Sequence, residues 1–306
     1  MAEKVVVVTG ACGFIGRHTS RFCAQKGYVV VGMGYGTWDE PEWKRWGLHQ
    51  WIQSDISINA LKANIEDPYM IIHCAGAGSV GVSFDRPLDD YNNNVGTLLN
   101  VLEFVRLYFP DTKIAYPSSG AVYGSARHLP VIEEADLNPV SPYGFHKKIA
   151  EDLCRSYAFN YNLSIAVVRL FSIYGAGLEK QVLWDACEKA RLDDPVFFGT
   201  GNESRDFIHV DDAAELLYLA AEKASSKCPV FNGGAGVNVK IRDIVEKLYY
   251  FLDYKKSPCF SEQQRDGDPL HYQADISKAY ALGWQPQIDL DTGINDYVNW
   301  YKDFKK

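Results

Sequence analysis

The sequence predicts an α/β fold, a doubly wound parallel sheet followed by a smaller C-terminal domain. Three observations carry this. Residues 4–9 contain four consecutive valines, a β-branched apolar run suited to a parallel strand buried on both faces. Gly10, Gly13 and Gly16 follow that run and open a helical stretch. Strand-like and helix-like segments then alternate as far as residue 170 or so.

Taken in order, the glycine turn Thr9-Gly10-Ala11-Cys12-Gly13-Phe14-Ile15-Gly16 leads into a helix over 15–26. Residues 28–33, 52–55 and 69–74 read as the next strands, with a helix over 58–65. Val95, Leu98, Leu99, Leu102 and Val105 recur at helical spacing within 92–108. Residues 113–118 and 164–170 read as strands, and 143–161 as a long helix. Beyond that the alternation loosens, with helices over 182–191, 211–223 and 241–252 between turn-rich segments. This divides the chain into a Rossmann-like dinucleotide-binding domain, 1–171, and a mainly substrate-binding domain, 172–306, with some elements returning to the first.

With 47% hydrophobic residues, 306 residues bury a large core. The net charge of -8 argues against a nucleic-acid or anionic-membrane surface. Seven cysteines, an odd number with no CxxC, argue against a disulfide framework or a zinc site and fit reduced thiols in the cytoplasm. No apolar run reaches the roughly 18 residues a membrane span needs.

The glycine turn has the form that cradles a dinucleotide pyrophosphate. The first glycine permits a tight turn, the second a close approach of the phosphates, the third packing of helix on sheet. The acidic residue expected after the second strand, where it would hold the adenosine ribose, is replaced by Gly34 in Val31-Gly32-Met33-Gly34-Tyr35. With that carboxylate gone and Arg17 available to pair with a 2′-phosphate, the sequence leans to NADP(H), with NAD(H) as the alternative. Asp55 and Ile56 would flank the adenine. The tryptophans at 38, 43, 46 and 51 read as packing around an unusual connection.

Tyr143 and Lys147 stand four apart and share a helix face. A phenol is a poor base at neutral pH, and a nearby ammonium favours the phenolate. At about 4 Å and an effective dielectric of about 20 the attraction is roughly 4 kcal/mol, up to about three pKa units. Ser119, at the end of a strand, can hydrogen-bond the reacting oxygen. This trio beside a dinucleotide cradle points to hydride chemistry at a carbinol or ketone.

The ordered segments TGACGFIG, HCAGAGSVGVSFDRP, NNNVGT, SSGAVYG, SPYGFHK, RLFSIYG, FFGTGNESRDFIHVDD, RDGDP and LGWQP span nearly the whole chain. By these the chain resembles the extended short-chain dehydrogenase/reductases, in the nucleotide-sugar epimerase/dehydratase/reductase group. The resemblance implies that Tyr143 exchanges a proton with the sugar C4 oxygen, that Ser119 assists, and that Lys147 also bonds the nicotinamide ribose. It implies cofactor contacts from Gly10, Gly13, Phe14, Ile15, Gly16, Arg17, Asp55, Ile56, Cys74, Ala75, Gly76 and Asn94. Substrate contacts are implied for Ser79, Ser119, Phe198, Arg205, Arg265 and Asp268, the two arginines clamping the diphosphate. Ser172 stands where many relatives have asparagine. His73 and Cys74 read as strand-end residues near the cofactor and not as metal ligands. A homodimer through the 92–108 and 143–161 helices is also implied.

Dehydratases of this group carry an acidic pair after the serine or threonine, and here Gly120 and Ala121 stand there. Two activities follow: an NADP-linked reductase of a nucleotide-linked 4-keto-sugar, to which the missing ribose carboxylate tips the reading, or a 4-epimerase with tightly held NAD. A non-catalytic NADP-sensing protein on the same fold is the remote third.

Overall fold

Side chains that alternate along β1 (Val5–Thr9) divide the molecule into two layers. Val6 and Val8 join one apolar cluster and Val7 the other. The computed structural model describes residues 4–193, 195–263 and 270–306. After β1 come α1 (Phe14–Gln25), β2 (Val29–Gly34), α2 (Glu40–Arg45), β3 (Gln50–Gln53), α3 (Ile58–Asn64) and β4 (Met70–His73). Two short helices, α4 (Val80–Asp85) and α5 (Pro87–Tyr91), run through a π-turn at Asn92–Gly96 into α6 (Thr97–Tyr108). Next are β5 (Lys113–Ser119), α7 (Pro142–Tyr161) and β6 (Ile165–Leu170).

The later part of the chain adds β7 (Ser172–Tyr174), α8 (Gln181–Arg191), β8 (Val196–Phe197), β9 (Ser204–Arg205), β10 (Phe207–His209), α9 (Val210–Glu222) and β11 (Val230–Gly233). It closes with β12 (Val239–Lys240), α10 (Ile241–Leu252), α11 (Ser277–Ala281) and α12 (Leu290–Phe304).

Among the described residues one seven-stranded sheet has the order β11-β6-β5-β4-β1-β2-β3, with parallel pairings throughout. This is the doubly wound Rossmann-like sheet. One face is covered by α3, α6 and α7, where Leu61, Leu98, Leu102, Phe104 and Ala150 are buried. The other is covered by α1 and α9 with Trp284. Both α9 and β11 come from beyond residue 171, and β11 pairs with β6 from Val230↔Val167 to Gly233↔Leu170. A third cluster joins Tyr174, Leu183, Cys187, Leu248, Tyr297 and Tyr301 in the C-terminal part. The third strand ends at Gln53, so Asp55, expected at a strand end, lies beyond it.

Candidate functional site

The strand order reverses between β1 and β4, and ligands of open α/β sheets bind at such a crevice beyond the strand ends. The ends of β1, β2, β4 and β5 deliver Gly10, Gly34, Cys74 and Ser119 to it. Gly10 has φ +66, and a Cβ there would lie 2.6 Å from the Ala75 nitrogen. A Cβ at Gly16 would lie 2.2 Å from the Gly10 oxygen. The cap residue of α1, Gly13, carries no side chain, and its first turn has no acidic residue. The N-terminus of α1 therefore keeps unshielded N–H donors beside a bare, tight loop, a fit for a dinucleotide pyrophosphate.

Phe14 and Ile15 begin α1, Phe14 edge-on to His18 and Ile15 against the sheet core. The Ala75 N–H donates to Thr9 Oγ1 at 3.3 Å. Gly76 backs onto Asn94, where a Cβ would meet Oδ1 at 2.8 Å. Asn94 is buried, its Nδ2 donates to Asp90, and its Oδ1 has no partner. Burial raises the Cys74 thiol to about 12 and lowers His73 to about 3. His73 is a neutral core residue, its Nδ1 2.7 Å from Thr9 Oγ1 and its Nε2 3.3 Å from Thr97 Oγ1. Asp55 is exposed and accepts from Ser54 and Ser57, while Ile56 is buried and its carbonyl accepts from Asn100.

The argument for NADP(H) loses its footing in packing. A Cβ at Gly34 would lie 3.3 Å from the Trp51 ring and 3.4 Å from Gly10 Cα. Trp51 occupies part of the space an acidic side chain would enter, so Gly34 accommodates an indole. Gly32 is held to the same size, because its Cβ would meet Leu48 at 2.3 Å. Arg17 is engaged as well. Its Nη2 donates to the Cys12 carbonyl at 2.6 Å, and its guanidinium lies 5.9 Å and 5.5 Å from the Trp38 and Trp46 rings. The tryptophans pack against the core, as the sequence reading held.

Ser141 caps α7 by accepting from the Gly144 N–H, and Pro142 suits the first helical position. The Tyr143 N–H donates to Ser83 Oγ at 3.1 Å. A Cβ at Gly144 would come 2.7 Å from the Ala121 carbonyl, so α7 packs close on the loop after Ser119. The Ser119 hydroxyl lies near enough to Tyr143 to favour its phenolate, and Ser119 Oγ accepts from the Ala121 N–H at 3.1 Å. Lys147 is buried, donates to the Pro117 carbonyl at 3.0 Å, and lies 5.8 Å from the Tyr143 ring centre.

The expected electrostatics differ here. Burial pushes the Tyr143 phenol up to about 12, against the lowering effect of Ser119 and with a further rise from Asp90. Burial also lowers Lys147 to about 8. The ammonium is turned to a carbonyl and to the Tyr116 ring, 4.7 Å away, so desolvation of both groups outweighs their attraction.

On the substrate side, Ser79 caps α4 by accepting from Val82 N. Ser172 opens β7, its N–H donating to the Asp206 carbonyl at 2.9 Å. Phe198 is exposed just past β8. Arg205 sits on β9, with Nη1 on the Ser204 and Leu270 carbonyls. The neighbouring acids are occupied elsewhere: Asp206 accepts the backbone N–H groups of Ala235, Gly236 and Ala274, and Asp211 pairs with His18 and Arg21. Arg265 and Asp268 lie outside the described residues.

Residues 6–234 match the family described as NAD dependent epimerase/dehydratase. The chain belongs to that family. It is an enzyme of the extended short-chain dehydrogenase/reductase type, as its motifs implied. It is 30% identical to a putative UDP-glucose 4-epimerase of Methanocaldococcus jannaschii, over 97% of this chain and 98% of that one. A UDP-N-acetylglucosamine 4-epimerase from Methanobrevibacter ruminantium, solved with UDP-N-acetylmuramic acid, superposes with TM-score 0.88 at 27% identity, covering 99% of this chain and 100% of that one. A UDP-glucuronic acid 4-epimerase from Bacillus cereus, solved as a tyrosine-to-phenylalanine mutant with a fluorinated UDP-glucuronic acid and NAD, also gives 0.88 at 27%, covering 98% and 99%.

In this family member the sequence reading missed a buried network behind the trio. Glu151, one turn after Lys147, accepts from Ser118 Oγ at 2.6 Å and from Arg169 Nη2 at 2.7 Å. Arg169 also donates to the Tyr123 hydroxyl and the Glu133 carbonyl. Tyr123 donates to Asn232 on β11 at 2.6 Å. The network ties β5, α7, β6 and β11 together directly behind Ser119. Its signal was present in SSGAVYG and RLFSIYG, and in an acid four residues after Lys147 on the same helix face.

Proposed function

We propose that this enzyme is a UDP-sugar 4-epimerase that keeps NAD bound through the cycle. The observation that carries this is the joint likeness, in sequence and in structure, to UDP-sugar 4-epimerases, one of them solved with NAD. The Trp51–Gly34 packing supports it by removing the ground for an NADP-linked reductase. Gly120 and Ala121, in place of an acidic pair, speak against water elimination.

NAD, when bound, supplies hydride acceptance and return at the sugar C4. The protein side of the reaction falls to the trio. Tyr143 takes the proton from the C4 hydroxyl and later gives it back. Ser119 hydrogen-bonds that oxygen and favours ionisation of the Tyr143 hydroxyl beside it. Lys147 supplies positive charge and, with the cradle of Gly10, Gly13 and Gly16, holds the cofactor. Epimerisation needs the 4-keto-sugar to present its other face before the hydride returns. Arg205 with Arg265 and Asp268, beside Ser172 and Phe198, would keep the nucleotide end fixed meanwhile.

A second copy of the chain is the proposed partner. Leu99, Leu107, Phe145, Ile149, Phe159 and Tyr161 are exposed on α6 and α7. The seven cysteines are all unpaired, which supports a reducing compartment. No helix among the described residues is long and apolar enough to cross a membrane.

The test is to denature freshly purified protein and identify the released dinucleotide by chromatography and mass. One NAD per chain, with interconversion of a UDP-sugar and its C4 epimer and no added cofactor, is the expected result. Protein that holds no dinucleotide, and consumes NADPH with a 4-keto-sugar nucleotide, overturns the epimerase in favour of the reductase.

A further inference from the structure

Asp90 on α5 is enclosed by the protein, with 2% of its side chain exposed. Arg86, one turn earlier, pairs with Asp89 and not with it. The two carboxylate oxygens of Asp90 serve different partners. Oδ2 lies 2.6 Å from His146 Nδ1. Oδ1 accepts from Asn94 Nδ2 at 3.1 Å, and the same Nδ2 donates to the Asp90 carbonyl at 3.1 Å. A buried carboxylate is costly unless its hydrogen bonds are met, and here both oxygens are used.

Each partner belongs to a different half of the site. His146 sits on α7 between Tyr143 and Lys147, with the Tyr91 ring edge-on to it. Asn94 sits in the π-turn between α5 and α6, a winding frequent at functional sites. Its side-chain amide has a donor end and an acceptor end, and an ionised carboxylate takes only the donor. Asp90 therefore turns the Asn94 oxygen away from itself. That oxygen is the atom a Cβ at Gly76 would meet, so the backbone of the loop after β4 lies directly on it. A chain of polar contacts thus runs from the catalytic helix through Asp90 to the loop that receives the dinucleotide.

We propose that Asp90 is a positioning residue for the reaction: through His146 and Asn94 it fixes the catalytic helix against the dinucleotide loop, and its charge steadies the Lys147 ammonium. This rests on the reading of a resident dinucleotide above. The groups around Lys147 leave that role to Asp90. Burial lowers Lys147, and Asp90 leads the groups that oppose it, ahead of Cys74, Glu151 and Cys154. Glu151 is shared with Arg155 and Arg169. Burial holds the Cys74 and Cys154 thiols, and the Tyr116 and Tyr143 phenols, in their neutral forms. Burial keeps His73 neutral as well.

The experiment compares the wild-type holoenzyme with Asp90→Asn, His146→Leu and His146→Gln. It measures the rate at which dinucleotide leaves on dilution, the melting temperature, and the pH profile of UDP-sugar turnover. Asp90→Asn should lose its dinucleotide about tenfold or more faster than the wild type. Without the carboxylate Lys147 gives up its proton more readily, so turnover should begin its alkaline decline about one pH unit earlier. His146→Leu should also speed dinucleotide loss, and His146→Gln, which keeps an N–H donor for Asp90, should restore most of the retention. In both His146 variants the alkaline decline should stay in its wild-type place, because the carboxylate remains. An Asp90→Asn protein that melts lower or turns over more slowly, with the decline unmoved, would show a packing role alone and overturn the proposal. Where Asp90→Asn does not fold, the His146 pair decides: equal retention in Leu and Gln variants overturns it. A wild type that releases no dinucleotide would refute the resident-cofactor reading itself, and this inference with it.

Discussion

Glu151 and Arg169 form an ion pair closed off from water, with Nη2 to Oε2 at 2.7 Å and side chains 0% and 1% exposed. The pair stands directly behind Ser118–Ser119 and one helical turn beyond Lys147. Removing one partner leaves the other charged and buried, which costs about 3–5 kcal/mol. Glu151→Ala should lower unfolding stability by that amount in urea denaturation and take the turnover with it. A variant with wild-type stability would show that the network is slack.

Tyr143→Phe removes the hydroxyl that exchanges the proton and leaves the cradle untouched. Turnover should fall by about 10² to 10⁴, while the released dinucleotide remains one per chain. Loss of both would mean that Tyr143 acts by holding the cofactor.

Lys147 couples activity to pH. Its folded pKa, about 8, lies below the ordinary 10.5. Between those values the unfolded chain keeps a proton that the folded chain lacks, so this group's contribution to stability rises with pH through that window. Activity that depends on the ammonium falls over the same range. Turnover should decline above about pH 8, while the melting temperature, referenced to Lys147→Met, moves upward. Turnover flat to pH 10 would remove the ammonium from the mechanism.

Gly34→Asp restores the residue type expected after the second strand, yet it should not improve NAD retention. Its Cβ meets the Trp51 ring, and overpacking of this kind costs about 1–3 kcal/mol. Thermal melting and dinucleotide stoichiometry check this, and adding Trp51→Ala should relieve the strain. A single variant that melts normally and holds NAD more firmly would show that Trp51 yields easily.

The first half of the sheet was legible because each strand is a short apolar run between turn signals, and because the glycines at 10, 13 and 16 have few other uses in that order. The trio was legible from helical spacing and from the strand end before it. Helix α12 was overlooked although Ile294, Tyr297, Val298 and Tyr301 form its buried face at that same spacing. The short helices α4 and α5 give too few turns for periodicity to register. The meaning of Gly34 was not legible, since the side chain that fills its space arrives from β3, and local sequence does not say which ring lies over which glycine. The electrostatics of Tyr143 and Lys147 escaped for a similar reason, because desolvation depends on everything packed around them.

The completion of the sheet by β11 and α9 bears on how the protein is made. Emerging from the ribosome, the glycine loop, α1 and the catalytic helix α7 appear well before the strand and helix that finish their sheet. His18 must wait for Asp211, and Tyr123 for Asn232. Until then β6 is an open edge and one flank of α1 is bare, so a nascent chain has no finished cradle. Capture of the dinucleotide becomes a late event in biogenesis, and a chain truncated after β6 should be a client of chaperones and not a small cofactor-binding protein.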